Sequence, residues 1–138
     1  MSDSSVKNQQ LKRVLFVCVE NSCRSQIAEA FARIHGAEIV EAYSSGSRPS
    51  GLVNAAAIEM MREVGYDLSQ HGSKSLAEIP DVEYDYAITM GCGDECPHLR
   101  AKAREDWGIP DPKNLPPEGF REVREVIAGK MRDLLARL

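Results

Sequence analysis

Apolar residues in this chain keep two rhythms, and each rhythm marks a kind of element. Val14, Leu15, Phe16 and Val17 are consecutive, as in a strand buried on both faces, and predict a strand over residues 12–19. Ile27, Phe31 and Ile34 recur at helical spacing and predict a helix over 25–35, stopped by Gly36. A second strand is expected over 38–44, followed by a turn-forming stretch to Gly51. Asn54 suits the N-cap of a helix reaching Val64, with Ala57, Met61 and Val64 inward and Gly65 closing it. A short helix over 75–79, a third strand over 84–90 and a brief fourth strand near 105–108 come next. The last helix, about 117–138, carries Phe120, Val123, Ile127, Leu134 and Leu138 on one stripe.

Strands separated by helices predict an α/β fold, a three-layer sandwich of a four-stranded parallel sheet with helices on both faces. Right-handed crossovers then gather the strand C-termini at one edge, where ligands bind. At 138 residues the chain suits a single domain over 11–138, after a polar tail at 1–10 expected to be disordered. The net charge of −4, with no Lys/Arg cluster, argues against a nucleic-acid surface. No apolar run is long enough to span a membrane, and the polar start carries no signal-peptide core. These features suggest a cytoplasmic protein, in which four cysteines favour catalytic, redox or metal-binding roles over structural disulfides.

The richest chemistry lies where the first strand meets the first helix. Cys18 and Arg24 stand six residues apart there, with Val19, Glu20, Asn21, Ser22 and Cys23 between them and Ser25 following. Backbone N–H groups at a helix start lack intrahelical partners, and the helix dipole adds partial positive charge, so such a loop can hold a tetrahedral oxyanion. Arg24 supplies a planar grip on two oxygens, and the same field favours a thiolate at Cys18. Ser25 can donate a hydrogen bond to the sulfur, and Asn21 tolerates the left-handed backbone a tight cradle requires. A lone cysteine and arginine at this spacing also suit a buried small hydrophobe and a solvated helix residue; the strand–helix setting argues for the cradle.

A second cluster follows the third strand: Gly91, Cys92, Gly93, then Cys96, Pro97 and His98. If that strand neighbours the first, Cys92 emerges at the edge that holds Cys18. Glycines on both sides of Cys92 make its backbone permissive, and Pro97 pushes Cys96 out of helical geometry. This permits close approach of the sulfurs, as a disulfide requires. Cys92, Cys96 and His98 also suit three zinc ligands, although a fourth is lacking, or incidental loop residues. Asp111, between Pro110 and Pro112, is a carboxyl group on stiff backbone, fit to give a proton to a leaving oxygen. His35 sits where it would offset a helix dipole, and His71 has no evident partner.

Taken together, the Cys18 loop, the cluster holding Cys92 and Cys96, and the Asp111 segment resemble the low-molecular-weight protein tyrosine phosphatase family. Within that family the chain is most similar to the thioredoxin-coupled arsenate reductases, which residues 21–29, 43–46 and 105–112 resemble and whose further redox cysteines Cys92 and Cys96 match. The resemblance implies attack of Cys18 on arsenate, with water leaving under proton transfer from Asp111. Cys92 then attacks Cys18 and releases arsenite, and Cys96 attacks Cys92 to present a disulfide to thioredoxin or another thiol reductant. Cys23 would be a spectator, and no cofactor or resident metal is expected. The alternative within the family is a phosphatase using Cys18, Arg24 and Asp111 alone. Some of the reductases hold potassium behind the cradle, with ligands matching Asn21, Glu29, Ser44 and an aspartate. Here Lys74 takes the aspartate's position, and its ammonium is expected to replace the ion by pairing with Glu29.

Overall fold

A computed structural model describes residues 11–91 and 100–138. Four strands, β1 (Lys12–Cys18), β2 (Val40–Gly46), β3 (Tyr84–Thr89) and β4 (Ala101–Asp106), form one sheet in the order β2-β1-β3-β4. Every pairing is parallel. The helices are α1 (Arg24–Gly36), α2 (Ala55–Arg62) and α3 (Pro117–Arg137), with 3-10 turns at Leu68–Gln70 and Leu76–Glu78.

The central position of β1 explains its unbroken apolar run. Side chains alternate between faces along a strand, so a strand covered on both sides needs apolar residues at every position. Val14 and Phe16 join the main core with Ile27 and Phe31 of α1, Met61 of α2, and Ile127 and Leu134 of α3. Leu15 and Val17 point the other way, beneath Leu76, Ile79, Val82 and Tyr84. The three expected layers are present, and the one over Leu15 and Val17 is thin, built largely of the 3-10 turn Leu76–Glu78 and its flanks. Among the described residues, no helix is long and apolar enough to cross a membrane.

Several boundaries differ from expectation. The fourth strand lies earlier than 105–108, over Ala101–Asp106. It is one of the sheet's two edges, and its sequence alternates small and charged residues before ending on two acids, a pattern that blunts an edge but offers no apolar signal. The turn expected as a helix at 75–79 is a 3-10 turn closed by a capping box between Ser75 and Glu78. Helix α2 ends at Arg62, so Val64 lies beyond it, 40% exposed rather than inward. Ile34 is exposed to the same extent, because the inward face of α1 turns through Ile27, Ala28 and Phe31. Gly36 is the last helical residue, and its role is close approach: a Cβ there would lie 2.7 Å from the Leu135 side chain of α3. Gly65, at φ 84°, does close the turn after α2 as expected.

Helix α3 is fastened to the end of α2 by ions as well as by its apolar stripe. Arg121 Nη2 and Arg124 Nη1 donate to the Glu63 carboxylate at 2.8 and 2.7 Å, and Arg124 Nη1 also donates to the Met60 carbonyl at 2.9 Å. The hydrogen bonds from Arg121, then those from Arg124, hold the Glu63 carboxyl down at about 2. A carboxyl depressed in the fold binds protons more weakly folded than unfolded, so its stabilising contribution is complete above about pH 4.5 and fades towards pH 2. Glu63→Gln should therefore lower the melting temperature at pH 6–7. The difference from the unaltered protein should close as the pH falls through that window, a test made by melting both across pH 2–7.

Candidate active site

The cradle is shaped by what binds its outside. The Val19 carbonyl accepts from the Arg48 N–H at 2.8 Å, and the Ser22 carbonyl from Asn54 at 2.8 Å. The Glu20 carbonyl accepts from the Ser50 N–H and the Ser73 hydroxyl, and the Asn21 carbonyl from Gln26 Nε2. In a trans peptide, the N–H points opposite the carbonyl that precedes it, and no cis bond is present among the described residues. Tying these carbonyls outward turns loop N–H groups, those of Glu20 and Cys23 among them, towards the inside. Asn21 makes the tightest bend, at φ 50°, and is fully buried. Only glycine fits opposite it, since a Cβ on Gly46 would lie 2.5 Å from the Val19 carbonyl oxygen.

Cys18 ends β1 and is 3% exposed. Its sulfur lies 2.9 Å from the Ser25 hydroxyl, which also accepts from Asn21 Nδ2 at 2.8 Å. With that lone pair taken, the serine is free to direct its single proton at the sulfur, where it stabilises negative charge. Arg24 opens α1. Its Nη1 donates to the Met90 carbonyl at 2.8 Å and to the Ile109 carbonyl at 2.9 Å, which fixes the guanidinium plane while Nη2 faces Asp111 Oδ2 at 4.0 Å. Those carbonyls come from the ends of β3 and β4, brought together where Gly91 passes close to Gly108.

A cavity of about 220 Å³ results, walled by Cys18, Val19, Glu20, Ser22, Cys23, Arg24, Asp111 and Lys113. Asn21 and Ser25 stand behind this wall and hold it. Asp111 is half exposed at the mouth, its Oδ1 accepting from the Lys113 N–H. Burial, then the negative charges of Asp111 and Cys18, push the Cys23 thiol well above its ordinary value, so it stays protonated beside the nucleophile. Cys92, Cys96 and His98 lie outside the described residues. Met90, whose carbonyl meets Arg24, is two residues before Cys92 in sequence.

The family model of the low molecular weight phosphotyrosine protein phosphatases matches residues 13–138. This chain belongs to that family. A glutaredoxin arsenate reductase of Synechocystis is 38% identical over 131 residues, covering 93% of this chain and 99% of its own length. An arsenate reductase solved in a phosphate-binding state superposes with a TM-score of 0.84 at 38% identity, covering 92% of this chain and 98% of that one. A thioredoxin-dependent arsenate reductase of Corynebacterium glutamicum gives 0.73 at 32% identity, over 96% of this chain and 66% of that one.

Behind the cradle, the buried Glu29 carboxylate is held by more partners than the sequence suggested. Lys74 Nζ lies 3.8 Å from it, Arg33 Nη2 donates to it at 2.6 Å, and the Ser44 hydroxyl donates at 2.5 Å. The Glu29–Arg33 pair is an i,i+4 pair, legible in principle from spacing alone. Arg33 and Lys74 thus bring two cations to this carboxylate, and the Lys74 ammonium donates to the Gly72 carbonyl at 2.8 Å. Exchanging sodium for potassium at constant ionic strength should leave the melting temperature and phosphate affinity unchanged. His71, without an evident partner in the sequence, donates from Nδ1 to Gln26 Oε1 at 2.8 Å and meets the Tyr66 hydroxyl through Nε2 at 2.6 Å. Burial pushes its ring below the ordinary histidine value, so it serves the network as a neutral group.

Proposed function

We propose that this protein reduces arsenate to arsenite through a relay of Cys18, Cys92 and Cys96, recharged by thioredoxin. The observation that carries the reading is the juxtaposition at Arg24. The arginine that walls the Cys18 cavity is tied to the carbonyl of Met90, at the entrance to the Cys92 segment. Names borne by relatives at about 38% identity over nearly the whole chain support the reaction class.

In this mechanism Val19, Glu20, Ser22 and Cys23 offer backbone to the anion, Arg24 grips two of its oxygens, and Asn21 and Ser25 steady the Cys18 thiolate. The sulfur attacks arsenic, and a hydroxyl ligand leaves as water with a proton from Asp111. The Cys92 thiolate then attacks the Cys18 sulfur. The sulfur–arsenic bond breaks with its electron pair going to arsenic, so arsenic is reduced and the two sulfurs are oxidised to a disulfide. Cys96 attacks Cys92, frees Cys18, and leaves a Cys92–Cys96 disulfide that a dithiol such as thioredoxin reduces. Such a cycle needs a reducing compartment, which favours the cytoplasm.

The relay predicts what peptide mapping will find after one arsenate turnover without reductant. The unaltered protein should yield a Cys92–Cys96 crosslink, and Cys96→Ser should trap Cys18–Cys92. Four free thiols after exposure to arsenate would contradict it. The same Cys18, Arg24 and Asp111 suffice for hydrolysis of a phosphate monoester, so slow cleavage of p-nitrophenyl phosphate is expected beside the reduction.

A further inference from the structure

One cation on the cavity wall has no part in the mechanism above. Lys113 follows Asp111 by two residues, and its Nζ lies 3.3 and 3.4 Å from the two carboxylate oxygens of Glu20, 93 residues away in sequence. Both side chains line the cavity that contains Cys18, so this ion pair spans its mouth from the cradle to the acid-bearing segment.

Among the described residues, the two cations on this cavity's wall are held very differently. Arg24 is 12% exposed and its Nη1 is fixed by two backbone carbonyls, so it cannot travel. Lys113 is 50% exposed, and Glu20 45%. An ion pair so open to water shifts an equilibrium by no more than about fivefold, and breaks readily when a better partner arrives. The Lys113 backbone is anchored through its N–H to Asp111 Oδ1 at 3.0 Å, so its side chain pivots from a fixed base. Glu20 offers a single negative charge. A tetrahedral oxyanion seated over Cys18 carries more charge and several acceptor oxygens, and it outcompetes one exposed carboxylate for an ammonium group on the same wall. The ammonium field already reaches the interior, where it opposes the upward push on the Cys23 thiol.

We propose that Lys113 is a second cationic ligand for the oxyanion, latched by Glu20 across the mouth of the cradle and handed to the anion on binding. The proposal rests on the reading of this cavity as an oxyanion site. Glu20 then acts through Lys113: it stores the ammonium when the site is empty and weakens binding by the cost of releasing it.

Titration of the reduced protein with inorganic phosphate at low ionic strength tests this without any redox step. Lys113→Ala should weaken phosphate binding by about threefold to fivefold, with Lys113→Arg retaining most of the affinity. Glu20→Gln should tighten binding by a similar factor, and that gain should largely vanish in the Glu20→Gln/Lys113→Ala double variant. Unchanged affinity in Lys113→Ala would overturn the proposal. So would an undiminished gain from Glu20→Gln without Lys113, which would mean direct repulsion of the anion by Glu20. Failure of arsenate turnover alongside the expected phosphate results would sink the reductase reading and leave this one intact. A protein that binds no phosphate at all would overturn both.

Discussion

Cys18→Ser should abolish arsenate reduction and p-nitrophenyl phosphate cleavage together, each by about ten-thousandfold or more, while the melting temperature moves little. The two reactions share one first step, attack by the Cys18 sulfur on the central atom of a bound oxyanion. A serine hydroxyl in that place keeps the hydrogen bond to Ser25 but is far less acidic than a thiol, and none of the described residues lining the cavity is a strong base placed to take its proton. The substitution is nearly isosteric at a buried strand end, so packing around Phe16 and Val17 is undisturbed. Phosphate should still bind, because the cradle N–H groups and Arg24 remain. Steady-state assays on both substrates, paired with phosphate titration, separate loss of the nucleophile from loss of the site.

Arg24→Lys is expected to cost about a thousandfold in turnover on either substrate, although it preserves the charge. The guanidinium does two jobs through one plane. Nη1 spans the Met90 and Ile109 carbonyls, and that anchoring aims the remaining N–H groups at the anion and sets Nη2 beside Asp111. An ammonium group cannot bind both carbonyls and still present a two-point grip. It also leaves one of the carbonyls joining the ends of β3 and β4 without a donor, so the Asp111 segment loses its reference. Weakened phosphate affinity should accompany the fall in turnover. A lysine variant with near-normal kinetics would mean that charge alone suffices and that the planar geometry carries no function.

The parts of this account that were legible in the sequence are those governed by local rules. The unbroken run Val14–Val17, the left-handed Asn21, the N-cap at Asn54 and the position of Gly65 each follow from a residue's own preferences. The cradle was legible as a motif, because cysteine, arginine and serine must keep fixed spacing around a helix start. Its outer support was not. Three of the donors that turn the loop carbonyls outward are backbone N–H groups, of Arg48, Ser50 and Asn54, which leave no mark in the sequence, and the side chains of Ser73 and Gln26 can be paired with the loop only once the fold is known. Gly46 does leave a trace, as a glycine where a strand end touches the loop. Strand β4 was expected too late in the chain for a different reason: its charged residues protect an edge, and edge protection erases the apolar signal. The His71 network joins residues from 26 to 71 and needs the fold before its members can be paired.

The central claim is that the cysteines after β3 make a reductase out of a phosphatase-like cradle. Multiple-turnover arsenite release, driven by thioredoxin, thioredoxin reductase and NADPH, tests it most directly when Cys92→Ser and Cys96→Ser are run beside the unaltered protein, with p-nitrophenyl phosphate cleavage measured in parallel. The account predicts sustained arsenite release from the unaltered protein, lost in both variants, while ester cleavage persists in all three. No arsenite from the unaltered protein, with brisk ester hydrolysis throughout, would contradict it and leave a phosphatase.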